Sequence, residues 1–62
     1  MTDITIPIHF TDQEAWDLAQ FIKRSRFDTF RECAVDQEEA YRMISAAERV
    51  QAALREAGYA PR

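Results

Sequence analysis

Glycine, cysteine and histidine occur once each in this 62-residue chain, as Gly58, Cys33 and His9. One cysteine and one histidine cannot assemble a disulfide framework or a zinc ligand set. One glycine leaves no room for a glycine-rich phosphate loop or a flexible linker. No apolar run approaches the ~20 residues of a membrane span, and the first residues lack the pattern of a signal peptide. With a lone free thiol, which suits a reducing compartment, this predicts a cytoplasmic protein with no membrane partner. A basic excess is missing too: the formal net charge is −3, against the positive balance of a simple phosphate binder.

What the chain does have is helix-forming pattern. The apolar content of 47% in so short a chain predicts one small packed domain spanning residues 1–62, near the lower size limit for folding without a staple. The organising stretch runs from Asp36 to Gly58, about six helical turns. Asp36 with Glu39 spells a capping box, and Gly58 supplies the left-handed residue that ends many helices. Tyr59 is then placed to fold back onto Leu54. Ala40, Met43, Ile44, Ala47, Val50, Leu54 and Ala57 recur at three- and four-residue spacing, with Glu38, Arg42, Arg49 and Glu56 opposite.

Thr11 and Glu14 form a second capping box, opening a helix from about Asp12 to Arg24 whose central stripe is Ala15, Leu18, Ala19 and Ile22. Acidic residues in its first turn and Lys23 and Arg24 in its last suit the helix dipole. After a break at Ser25–Phe27, Asp28 is read as the cap of a short helical segment, roughly Thr29 to Ala34, burying Phe30 and bringing in Cys33. Pro61 ends the chain's helical potential. The two main helices are expected to pack antiparallel around Phe30, through Leu18, Ile22, Ile44, Ala47 and Leu54.

Before the helices, Asp3 to Phe10 alternates cleanly. Ile4, Ile6, Ile8 and Phe10 fall on one face, and Asp3, Thr5, Pro7 and His9 on the other, the period of a half-buried strand. The fold class so read is mainly α, an N-terminal β-strand followed by two amphipathic helices with a short helical segment between. A solitary strand cannot satisfy its own backbone. It is expected to pair with its copy in a homodimer through Ile4, Ile6, Ile8 and Phe10, to dock on a partner's sheet, or to lie across the helices.

Charge is distributed in blocks. Residues 1–22 carry Asp3, Asp12, Glu14 and Asp17 with no Lys or Arg, and residues 23–31 carry Lys23, Arg24, Arg26 and Arg31 against Asp28. The block returns to acid through Glu32, Asp36, Glu38 and Glu39. Such alternation describes a solvated helical surface, but the Lys23–Arg24–Arg26–Arg31 group also offers phosphates or an acidic protein surface a place to bind. Trp16, at the edge of its stripe, is placed to anchor an interface. Glu38 and Arg42, an i,i+4 pair, complete the candidate binding residues. No catalytic set emerges: His9 stands alone, Cys33 has no base beside it, and Glu38 and Glu39 diverge by ~100° around a helix. No enzyme activity and no cofactor are expected.

The stretches LAQFIKR (Leu18–Arg24) and EAGYAPR (Glu56–Arg62) resemble a family of short, uncharacterised proteins encoded by phages and prophages of proteobacteria. That resemblance implies a mobile-element origin and a cytoplasmic bacterial setting and carries no established activity. From that setting, where small phage proteins often bind and disable host machinery including CRISPR effectors, a role against a host protein or nucleoprotein complex is expected. A second, weaker resemblance is to ribbon-helix-helix repressors, through the order strand, helix, helix in a short chain. It implies a dimeric DNA-binding regulator whose outward strand residues, here Asp3, Thr5, Pro7 and His9, read the major groove. The expected function is therefore a non-catalytic inhibitor of the anti-CRISPR kind, with the transcription regulator as the alternative.

Overall fold

The structure, a computed structural model, describes residues 2–62. Three helices follow one another: α1 (Asp12–Arg24), α2 (Phe27–Cys33) and α3 (Gln37–Glu56). Their starts are set by side chains that take up backbone N–H groups the first turn leaves without partners. At α1 the box is complete: the Glu14 N–H donates to Thr11 Oγ1 at 3.1 Å, and the Thr11 N–H donates to Glu14 Oε1 at 2.9 Å. At α3 it is only half made. The Glu39 N–H donates to Asp36 Oδ1 at 2.8 Å, but the Glu39 carboxylate accepts from Val35, one residue earlier than the pattern predicts.

The short helix differs from expectation more clearly. It begins at Phe27, not Thr29, and Asp28 sits inside its first turn rather than capping it. Thr29 decides the start, because its Oγ1 accepts the Arg26 N–H at 3.2 Å and fixes Arg26 as the residue before the helix. Cys33, expected near the core, is exposed. At the far end α3 closes with a Schellman motif. The Tyr59 N–H donates to the Leu54 carbonyl at 2.8 Å and the Gly58 N–H to the Arg55 carbonyl at 3.0 Å. Gly58 has φ +101°, a conformation other residues resist.

Both α1 and α2 pack on α3 and not on each other. The core this leaves is thin. Ala15, Ala19, Ala40 and Leu54 are the buried apolar residues, and Leu18, Ile22 and Tyr59 pack around the Ala15–Ala19–Leu54 cluster. Of the predicted α3 stripe, Met43, Ile44 and Ala47 are half-buried, whereas Val50 and Ala57 are exposed. Phe30 is half-buried on α2, which packs on α3 alone, so it does not fill the α1–α3 seam as a wedge. Small alanines at the seam let the helix backbones approach closely, which limits how much apolar area each residue removes from water.

The N-terminal β-strand is not there. Residues 2–10 adopt neither helix nor strand, and among the described residues no backbone hydrogen bond joins this arm to the rest of the chain. Ile4, Ile6, Ile8 and Phe10 are exposed, Ile4 to 76%. The fold is thus three helices with a free arm, correcting the mixed class read from the sequence. Alternation marks which residues share a face, but a strand also needs a neighbour for its N–H and C=O groups, and α1–α3 offer none.

Candidate interaction surface

Of the four cations singled out in the sequence, Lys23, Arg24 and Arg26 lie at the junction of α1 and α2, and Arg31 lies at the far end of α2. Lys23 and Arg24 end α1, Arg26 precedes α2, and Arg31 lies in its last turn; all four are exposed. Ser25 makes this junction by donating its hydroxyl to the Phe21 carbonyl at 2.7 Å, which stops α1 one turn short of a continuous helix. Arg31 Nη1 donates to the Ala34 carbonyl at 3.2 Å, so its side chain also closes α2. Beside the junction lies an open groove of about 500 Å³ lined by Asp17, Gln20, Phe21, Arg24, Ser25 and Thr29. With Asp17 facing the same space as Arg24, the groove is of mixed sign and is not shaped to hold a phosphate by charge alone.

The other candidates lie elsewhere. Trp16 is half-buried, its ring edge-on to Tyr59 at a centroid distance of 5.2 Å and an interplanar angle of 73°. Much of its face is therefore spent on the chain's own C-terminal turn. Glu38 and Arg42 are exposed on α3. His9 belongs to the free arm.

Two features were missed by sequence reasoning. Tyr59 does more than pack on Leu54: its hydroxyl donates to Asp12 Oδ1 at 2.7 Å, joining residues 47 apart in the chain. That bond raises the Tyr59 pKa above the usual tyrosine value, with desolvation and the Asp12 charge adding in the same direction. The Schellman signal located Tyr59 but could not show where α1 would start relative to it. The second feature is an aromatic surface. Phe21 is 57% exposed and Tyr41 55%, and Tyr41 pairs with Phe27 at 5.4 Å between centroids. Phe21 lies off the α1 stripe, which was the available hint.

Among the described residues no three His, Cys, Asp or Glu side chains converge to hold a metal ion. No helix is long and apolar enough to cross a membrane. The surface is large for the chain's mass. The chain exposes 5429 Å², against about 4,100 Å² for a compact monomer of this mass. Its Cα radius of gyration is 12.6 Å and its thinnest dimension 15 Å, where about 10.6 Å is the radius of a compact 62-residue unit.

The model of a family of unknown function (DUF7706) matches residues 1–62. No curated protein matches the chain, and no solved structure does.

Proposed function

The chain thus belongs to DUF7706, a family of unknown function, and starting from that kinship and from its surface we propose that it is a non-catalytic binding protein. It works as a pair of chains and inhibits a host protein or nucleoprotein complex, in the manner of a phage anti-defence factor of the anti-CRISPR kind. The observation that carries the binding reading is the exposure of large apolar side chains: Ile4, Ile6, Ile8, Phe10, Phe21 and Tyr41. Exposed apolar groups in this number favour an interaction surface over a purely solvated one. The inhibitory setting draws on the resemblance of LAQFIKR and EAGYAPR to short phage-encoded proteins.

The charged junction supplies the specificity in this reading. Lys23, Arg24, Arg26 and Arg31 are all exposed, with Arg24 lining the open groove, and they steer an acidic surface and set its orientation. Trp16 on α1 and Glu38 and Arg42 on α3 lie away from this junction and serve as secondary contacts.

The test is affinity capture from a proteobacterial lysate with tagged wild-type protein and with Lys23→Glu/Arg24→Glu/Arg26→Glu in parallel. A partner retained by wild type, lost by the triple variant, and lowered in its own activity by the purified protein supports the reading. Tight, sequence-specific DNA binding with no protein partner would refute it in favour of a transcription regulator. Salt-dependent mobility shifts on DNA measure that second arm.

A further inference from the structure

The arm of residues 2–10 is the most exposed apolar element of the molecule, and its backbone N–H and C=O groups have no partner among the described residues. We propose that its occupant is the same arm of a second copy, running antiparallel, with Ile6 on the two-fold axis. The inference rests on the pair-of-chains reading above and is independent of the inhibitory role. Within one chain the arm has nothing to pair with; the second copy provides it.

Three observations select this occupant and this register. The first is exposure. Ile4, Ile6, Ile8 and Phe10 stand 76%, 64%, 62% and 44% exposed, and the arm of a second copy offers the same apolar row to cover them. The second is Pro7, which has no N–H to give. It must lie where the backbone points away from the partner arm, which turns the even-numbered residues towards it. Even then pairs with even, and Ile4, Ile6 and Ile8 exchange backbone bonds across the axis while their side chains form one shared apolar face. The third is charge. Only with Ile6 opposite Ile6 of the second copy does Asp3, the arm's one acid, stand opposite His9, its one base. This happens twice by symmetry, at the closer of the two kinds of antiparallel position. Shifting the register by two residues sets Asp3 opposite Pro7 or Thr11 and loses both contacts. The same pairing places Thr5 against Pro7.

Disulfide trapping reads the register directly. In a Cys33→Ser background, Ile6→Cys should give a covalent dimer under mild oxidation. The Cα separation of a hydrogen-bonded antiparallel pair, about 5.5 Å, lies within the range a disulfide accepts. Ile4→Cys and Ile8→Cys should each give no covalent dimer when oxidised alone and should cross-link when mixed. In sedimentation, wild type should run at twice 7.2 kDa and Ile6→Lys at the single-chain mass, with its helical circular dichroism unchanged because no core residue comes from the arm. His9→Asp should weaken the dimer about tenfold, from two like-charge pairs, and adding Asp3→Lys should restore it. A wild-type chain that sediments as a monomer at high micromolar concentration overturns the proposal. So does a dimer in which Ile6→Cys fails to cross-link. A lysate partner found for the monomeric Ile6→Lys chain would leave the inhibitory reading standing while this one falls, so the two fail separately.

Discussion

Leu54 is the largest side chain in the core, 6% exposed between Ala15 and Ala19 of α1. Truncating it to alanine removes three carbon groups from the interior. At about 0.8 kcal/mol each, that is a loss of about 2.4 kcal/mol in transfer free energy. The cavity adds to this, because the alanines facing Leu54 have no atoms to move into the space, and about 3 kcal/mol in total is the expected cost. A chain of this length has about 3–9 kcal/mol of total stability, so Leu54→Ala should consume a third of it or more. The comparison is Val50→Ala, one turn earlier on α3 and 39% exposed, which should cost no more than about 1 kcal/mol. Urea melts followed by circular dichroism at 222 nm, at one fixed chain concentration, separate the two. Equal midpoints for both variants would refute the assignment of the core to the Ala15–Ala19–Leu54 seam.

Other substitutions test the rest of the frame. Gly58→Ala meets no atom within 4 Å, so its cost is backbone strain alone, about 1–2 kcal/mol, read as a lower thermal midpoint; no loss would mean that the left-handed turn is not held. Asp36→Ala removes the acceptor of the Glu39 N–H and should cost about 1 kcal/mol in a urea melt, with Asp36→Asn restoring most of it. Ala19→Leu forces a large side chain into a site that is 1% exposed and should destabilise by about 1–3 kcal/mol, where the same change at exposed Ala52 should not. For Tyr59 the folded-state pKa lies above its ordinary value, so the stability its hydroxyl contributes is complete below about pH 10 and is lost as pH rises through the folded pKa. The gap in thermal midpoint between wild type and Tyr59→Phe should therefore be constant near neutrality and close in alkali; a gap that widens there would contradict the Asp12 bond.

The helices were legible because each carries its own punctuation. Thr11 with Glu14, Asp36 with Glu39, and Leu54 with Tyr59 are contacts between residues three to five apart in the chain, and local contacts of that kind are written where they act. The errors fall where the deciding partner was different or distant. Thr29, not Asp28, set the start of α2, since a threonine at the third helical position serves the residue before the helix as well as an aspartate there would. The Tyr59–Asp12 bond spans the chain, and only the packing of α3 on α1 brings its ends together. The basic junction was visible as a run of residues, but the Asp17 that makes its groove mixed in sign lies two turns back on α1.

The arm shows the same division at its sharpest. A period of two in Ile4, Ile6, Ile8 and Phe10 states which side chains would share a face of an extended segment. It does not state what covers the row. A strand is a relation between two backbones, and α1, α2 and α3 satisfy their own hydrogen bonds and present no open edge. The arm therefore stays outside the fold even though its pattern is the most regular in the chain. The alanine-lined seam compounds this, because a core built from Ala15, Ala19, Ala40 and Leu54 has no further volume in which four large apolar side chains can be received. Covering them takes another surface, and it is on that requirement, not on any catalytic arrangement, that the proposed binding role rests.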